Sequence, residues 1–297
     1  EEEIESIILD KSEKIELKTG GDVGNSTVCK TAVKDYVKHI VSTTDVKFDG
    51  LKLAIDCANG SASVCAKEIF SQLGATCYML NDIPDGTNIN HNCGSTHPDE
   101  LMRFVKNACL DVGLAFDGDA DRMLAVDEKG NLVDGDKVIA ICASMMKQEG
   151  RLKQNTAVVT VMSNLGFFKF CNENSINCAK TAVGDRYVLE KMLKDGYNIG
   201  GEQSGHVIFL DYATTGDGEL SGVQLLKAVV KSQKPLSQLA SVMQVYPQVL
   251  INVKVSAEGK KKYNNDEYII AATPKAEMEL MGGGRVLVRL SGTEPMA

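Results

Sequence analysis

The sequence has no tryptophan and no apolar run approaching the roughly 18 residues that would span a bilayer, so nothing in it reads as a membrane segment. Positive charge is in deficit: 32 Lys and Arg against 40 Asp and Glu leave a formal net charge of −8. That balance argues against a protein that coats nucleic acid, which needs a basic surface for phosphate contacts, though it leaves room for a single cationic pocket. The first three residues are glutamates, the reverse of the basic start of a secretory signal. The 9 cysteines are odd in number and scattered, with no Cys-x-x-Cys pair and no Cys/His cluster. A disulfide framework or zinc site is therefore disfavoured, and reduced thiols filling helix and strand faces are the simpler reading. GxxxxGK[ST], GxGxxG and HExxH are all missing. The remainder is ordinary: 43% hydrophobic and 24% charged over 297 residues, enough for about two globular domains in a cytoplasmic setting.

Strand and helix signals alternate along the middle of the chain. Residues 1–35 are polar and acidic, with a short helix over Glu2–Leu9 and then a linker. Leu51–Asp56 is an apolar run ending in Asn59-Gly60, as a buried strand meeting a turn would. Ser61 can cap a helix whose apolar residues Cys65, Ile69 and Leu73 recur every fourth position, with Gly74 at its C-terminal end. A strand over Ala75–Leu80 and a Gly/Asn/Asp/Pro-rich loop follow. Pro98 then opens a helix with Leu101, Val105 and Ala108 on one face, and Val112–Phe116 is a further strand. The order repeats: helix Lys137–Met146, strand Ala157–Met162, helix Leu165–Asn172, strand Cys178–Val183, helix Asp185–Leu193. Strand Tyr197–Ile199, loop Gly200–Gly205 and strand His206–Leu210 complete it. The pattern predicts an α/β fold: two successive mixed or parallel-sheet α/β domains over 36–133 and 134–244. A partial α+β domain over 245–297 is expected to carry strands Val249–Val255 and Arg285–Leu290.

In open α/β sheets ligands sit beyond the carboxyl ends of strands, so the loops there carry the chemistry. Asp117, Asp119 and Asp121 alternate with small residues directly after a strand. Three carboxylates this close repel one another unless a cation neutralises them, and hard oxygen ligands suit Mg²⁺. Asp at positions 1, 3 and 5 with Glu128 at position 12 imitates an EF-hand loop. Position 6, however, is Arg122 rather than Gly, and the flanks read as strands. An aspartyl-nucleophile phosphatase and a solvated acidic hairpin also fit this segment. The Mg²⁺ site for phosphoryl transfer is preferred because Arg122 adds a phosphate-pairing cation. Gly200-Gly-Glu-Gln-Ser-Gly-His206 presents a carboxylate, amide, hydroxyl and imidazole able to grip sugar hydroxyls; a polar hairpin tip is the alternative. Arg289-Leu-Ser-Gly-Thr-Glu-Pro295 offers hydroxyls, backbone N–H groups and an arginine to an anion, or is a plain turn. Thr181-Ala-Val-Gly-Asp-Arg-Tyr187 places Arg186 at a strand-to-helix junction, where Asp185 reads as the helix N-cap.

Taken in order with Asp85-Gly-Thr-Asn-Ile-Asn90 and Cys93-Gly-Ser-Thr-His97, these loops resemble the α-D-phosphohexomutase superfamily over nearly all of the chain from about Tyr36. Gln203 and the Asp185-Arg186 pair resemble the branch acting on glucosamine phosphate rather than on mannose or glucose phosphates. The resemblance implies an isomerase that moves a phosphoryl group between sugar positions through a phosphoserine and a bisphosphate that reorients. It further implies that Asp117, Asp119 and Asp121 hold Mg²⁺ and that Arg122 contacts phosphate. Glu202, Ser204, His206 and Arg186 would bind the sugar phosphate, with His206 a candidate acid/base. Arg289, Ser291, Gly292 and Thr293 would hold the phosphate not being transferred. A homodimer is compatible with it.

The family's Thr-x-Ser-His-Asn-Pro phosphoserine loop does not occur here: histidines stand only at 39, 91, 97 and 206, and none precedes Asn-Pro. Leu290 stands where relatives usually carry proline, and their second arginine beyond the Ser-Gly-Thr turn is not in this sequence. The expectation is therefore that these residues are domains two and three with part of domain four, inactive as a mutase without the phosphoserine domain. A sugar-phosphate-binding paralogue without catalysis is the alternative.

Overall fold

A computed structural model of the chain describes residues 2–9, 17–262, 265–281 and 283–290. After helix α1 (Glu2–Leu9) and α2 (Ala32–Ser42), the first α/β unit runs β1 (Lys52–Asp56), α3 (Ala66–Gln72), β2 (Thr76–Leu80), α4 (Asp99–Asn107), β3 (Val112–Phe116), β4 (Met123–Asp127) and β5 (Leu132–Val133). Its sheet order is β2-β1-β3-β4-β5, parallel through β3 and antiparallel thereafter. The second unit runs α5 (Gly135–Gln148), β6 (Thr156–Thr160), α6 (Leu165–Glu173), β7 (Asn177–Thr181), α7 (Asp185–Asp195), β8 (Ile199–Gly201) and β9 (Val207–Phe209). Its order, β7-β6-β8-β9, repeats the parallel core with one antiparallel edge. Every residue of β3, β4 and β6 is buried, as expected of strands covered by helices on both faces.

Helix α8 (Gly218–Ser232) joins the two units into one core. All of Gly218–Val229 is buried, so the polar residues Glu219, Ser221, Gln224 and Lys227 lie inside the protein rather than on a solvated face. Leu220, Val223 and Leu226 share a cluster with Phe70 and Leu114 of the first unit and Val207 and Phe209 of the second. Burying each such side chain stabilises the fold by ~1.5–3 kcal/mol. Gly222 permits the approach: a Cβ there would lie 3.0 Å from Phe70 and 3.2 Å from Leu114. The buried polar groups of α8 are paired, with Gln224 Nε2 donating to Thr43 Oγ1 (3.1 Å) and Lys227 Nζ facing Asp45 (2.8 Å).

Several expectations need correction. Ser61 begins a 3-10 turn (Ser61–Val64) rather than capping α3, because Cys57-Ala-Asn-Gly60 turns back to the Gly118 carbonyl, which accepts from Ser61 N (2.9 Å). Ala108 is exposed at the end of α4, past the turn that packs on the sheet. Gly200 and Gly201 are strand rather than loop, paired with β6 and β9. Among the described residues no extended strand forms across 249–255 or 285–290, where Lys254 alone makes a bridge; Val249, Leu250, Ile251 and Val253 are exposed. The C-terminal part instead holds α9 (Leu236–Ala240), α10 (Ala257–Lys262) and α11 (Glu267–Glu279).

Candidate active site

β3 ends at Phe116, and the chain turns at once through Asp117–Asp121 into β4. The turn is tight: Ala120 adopts φ +59°, and its N–H donates to the Asp117 carbonyl (3.2 Å). Close backbone contacts hold it from three sides. Ser61 N donates to Gly118 O (2.9 Å), Gly218 N donates to Ala120 O (2.8 Å), and Ile89 and Asn90 pack on Gly118. The Asp85–Asn90 loop keeps its own shape because Asp85 Oδ1 accepts from Thr87 N (2.8 Å) and Asn88 N (3.0 Å). Beneath it the buried Asp56 carboxylate accepts from Ala58 N, Asn81 Nδ2 and Gly94 N at 2.9–3.1 Å.

One carboxylate oxygen from each of Asp117, Asp119 and Asp121 lies within 4.8 Å of the others. Asp117 is buried and Asp119 exposed. Burial, reinforced by Asp121 and Asp119, pushes the Asp117 carboxyl up to about 6. Asp121 Oδ1 is buried with no hydrogen-bond partner among the described residues. Such an uncompensated acidic cluster, built from hard oxygens, fits a divalent cation. Arg122 lies beside it, its Nε 3.8 Å from Asp117 and 3.7 Å from Asp121, with a half-exposed side chain.

The second unit meets this loop along a backbone seam. Met123 N donates to Gly205 O (3.1 Å), and Arg122 and His206 form an antiparallel bridge. Gly205 sits at φ +99° with its α-carbon against Met123; a Cβ would lie 2.6 Å from that carbonyl oxygen. His206 is 3% exposed, its Nε2 3.7 Å from Asp121 and 3.8 Å from Asp185, and its Nδ1 has no partner among the described residues. Gly216 packs flat on the imidazole. Glu202 Oε1 accepts from Gly184 N (3.0 Å), tying the loop to the start of α7, while Ser204 is exposed.

Asp185 is therefore not the N-cap expected from sequence. Gly184 occupies that position, and the Asp185 carboxylate, in the first helical turn, lies near His206. Arg186 points along the exposed face of α7 and pairs with Glu190 (2.7 Å). Arg289 is exposed, belongs to no strand, and is far from the triad in sequence. Ser291, Gly292 and Thr293 lie outside the described residues. Sequence reasoning missed Asp134, whose Oδ2 accepts from Gln203 Nε2 (3.1 Å), and Gly216 against His206. The Gly/Asp-rich Thr215-Gly-Asp-Gly218 after a strand was the available signal for the latter. A cavity of about 560 Å³ between α4 and the β4–β5 turn, bordered by His97, Arg103 and Lys106, shares no residue with the triad or the 200–206 loop.

Three models of the phosphoglucomutase/phosphomannomutase family match the chain: α/β/α domain II over 34–130, α/β/α domain III over 134–246, and the C-terminal domain over 250–297. The phosphoglucosamine mutase of Acetivibrio thermocellus is 55% identical over 296 residues, and that of Clostridium novyi 53%; each match covers 100% of this chain and 66% of the relative. The chain thus spans just under two thirds of the length of these relatives. Among solved structures, a phosphoglucomutase/phosphomannomutase family protein of Burkholderia thailandensis superposes with a TM-score of 0.67 at 26% identity, covering 79% of this chain and 51% of that one. An Aspergillus fumigatus N-acetylphosphoglucosamine mutase, solved with GlcNAc-6P and magnesium, gives 0.70 at 19% identity over 89% and 59%, a likeness of fold. No helix among the described residues is long and apolar enough to cross a membrane.

Proposed function

The chain belongs to the phosphoglucomutase/phosphomannomutase family of α-D-phosphohexomutases, and from that premise we propose that it supplies the metal and sugar loops, with part of the phosphate site, of a phosphoglucosamine mutase. The reaction is the interconversion of glucosamine 6-phosphate and glucosamine 1-phosphate. The observation that carries the reading is the seam from Met123 N to Gly205 O, which sets the acidic triad beside the Glu202–His206 loop. A phosphoryl acceptor bound at one loop is then within reach of a cation at the other.

Asp117, Asp119 and Asp121 would hold Mg²⁺, which when bound neutralises charge on the phosphoryl group in transfer. Arg122 contributes a fixed positive charge to the same group, kept in place by Asp117 and Asp121. Glu202 and Ser204 orient the sugar through its hydroxyls. His206, buried between Asp121 and Asp185, holds or moves a proton at the hydroxyl that gains the phosphoryl group. Arg186 and Arg289, with Ser291, Gly292 and Thr293, bind the phosphate that stays on the sugar. The incoming phosphoryl group would come from a phosphoserine carried outside this sequence; after the bisphosphate turns round, the sugar's original phosphate passes to the freed serine hydroxyl and the product keeps the incoming one. Catalysis on this account is positioning and charge neutralisation.

The test is turnover of glucosamine 6-phosphate, beside mannose and glucose 6-phosphates, by the naturally encoded protein and its Asp119→Ala and Glu202→Ala variants. Removing either group is expected to lower kcat/KM for the glucosamine substrate by about 10²-fold or more. Turnover confined to the mannose or glucose substrates moves the protein to another branch. Binding without turnover of any of them replaces the mutase reading with that of a sugar-phosphate-binding protein.

A further inference from the structure

Three consecutive residues at the start of α5 touch two separate parts of the molecule. On one side, Asp134 Oδ2 accepts from Gln203 Nε2 (3.1 Å) and Gly135 N donates to Gln203 O (3.0 Å). Gly135 lies so close to this loop that a Cβ would stand 2.7 Å from Gly205 N. On the other side, Asp136 Oδ2 accepts from Asn164 N (2.6 Å).

Asn164 is itself a junction. Its side chain caps α6 through Gly166 N (2.9 Å), accepts from Tyr246 N (3.0 Å) and donates to Tyr246 O (2.9 Å). Its neighbour Ser163 offers its carbonyl to Arg285 (2.9 Å). Tyr246 is where the C-terminal segment leaves the second α/β unit, and Arg285 precedes the phosphate-loop residues by only a few positions. Two points of that segment, Tyr246 and Arg285, thus meet at Ser163-Asn164. Asp136 and Ser163 are 0% exposed; the Ser163 hydroxyl faces the Asp136 carboxyl, and Asp136 Oδ1 and Ser163 Oγ have no further partner among the described residues. A carboxyl is costly to bury, and what this one holds is the Asn164 turn.

We propose that Asp136 is a positioning residue that couples the C-terminal, phosphate-carrying segment to the loop bearing Glu202, by joining Asn164 to the first turn of α5. A shift of residues 246 or 285 moves the 163–164 turn, which pulls on Asp136. The helix start turns as a unit, and Asp134 and Gly135 carry the displacement to Gln203. The two ends of one sugar phosphate, held at different loops, then bind cooperatively although no side chain spans them. This rests on reading 200–206 as the sugar loop.

The experiment is made on the naturally encoded protein with glucosamine 6-phosphate as probe, using Asp136→Ala, Asp136→Asn and Arg285→Ala. Hydrogen exchange at the amides of 201–206, where Glu202 N and Gly205 N are hydrogen-bonded, is read without ligand. Asp136→Ala and Arg285→Ala are each expected to speed that exchange and to raise KM about tenfold with kcat changed far less. Asp136→Asn, which keeps an acceptor for Asn164 N, is expected to restore both. Folded Ala variants with unchanged exchange and unchanged KM overturn the coupling. If Asp136→Ala fails to fold, Arg285→Ala, at the surface end of the chain of contacts, decides it. If the wild type does not act on or bind the sugar phosphate, the mutase reading fails, while the exchange measurement still decides the coupling.

Discussion

Glu219 offers a stability test whose sign follows from its surroundings. It lies in the first turn of α8, 3% exposed, accepting from Cys65 Sγ (3.2 Å) and from the Tyr36 hydroxyl (3.3 Å). The same hydroxyl donates to Asp217 (3.0 Å), so two carboxylates share one buried space. Burial first, then the charge of Asp217, pushes the Glu219 carboxyl up from 4.5 to about 7. The folded state therefore keeps this proton to about pH 7, whereas the unfolded chain releases it near 4.5. Between those values the unfolded state binds fewer protons, so stability falls as pH rises, by ~1.4 kcal/mol per unit. By pH 8 the accumulated penalty is about 3 kcal/mol. Glu219→Gln keeps the shape and an acceptor but has no proton to lose. Its stability relative to wild type should rise by about 2.5 kcal/mol between pH 5 and pH 8, read by urea unfolding at both. Taking the difference between the two proteins cancels the titration of groups that do not sense Glu219; Asp217, which shares its space, shifts with it. An offset that is the same at pH 5 and pH 8 would refute the reasoning, since it would mean the carboxyl is ionised throughout or is solvated in the folded state.

Further outcomes follow from packing. Gly216→Ala places a methyl within 2.5 Å of His206 Cδ2 and Cε1; the ring has to move, changing its NMR signals and lowering sugar-phosphate turnover by ~10²-fold. Gly222→Ala crowds Phe70 and Leu114 at the contact of α8 with the first unit, and should cost about 1–3 kcal/mol in urea unfolding. Asp56→Ala strands two buried backbone donors, Ala58 N and Gly94 N, and the half-buried Asn81 amide, and should cost about 2–3 kcal/mol, with faster exchange of the Gly94 amide. Brief alkylation of the native protein should label Cys29 and Cys109, which are exposed, before Cys57, Cys65, Cys93, Cys142 and Cys171, which are buried; mass mapping checks the order.

The parallel strands could be read locally because strands buried on both faces are short apolar runs closed by turn residues: β3 stands where the sequence places it, and β1 and β6 begin or end within a residue or two. Helix α8 escaped the same reading for a related reason. Surrounded on all sides, it buries Ser221, Gln224 and Lys227 along with its apolar residues, so its pattern does not separate a solvated face from a core face. The reverse difference arose at 249–255, where apolar residues read as a strand but only Lys254 makes a bridge, and Val249, Leu250, Ile251 and Val253 are exposed among the described residues. Asp185 illustrates what local reasoning cannot see. Its place at a helix start suggests a cap, but the positive φ of Gly184 moves the helix boundary by one residue, and the carboxylate faces a histidine from another strand.

By itself the sequence determined the alternation of strands and helices, the spacing of Asp117, Asp119 and Asp121, and the set of polar groups in each loop. These follow from neighbours along the chain, whose geometry is set by short-range sterics and turn chemistry. Only the tertiary structure decided that the acidic loop and the Glu202–His206 loop lie side by side, that Gly216 backs the imidazole, and that Asp134–Asp136 lie between two distant segments. Those relations depend on how α8 packs the two sheets into one core. Such packing sums many weak contacts between residues far apart in sequence, and no single stretch of the chain encodes it.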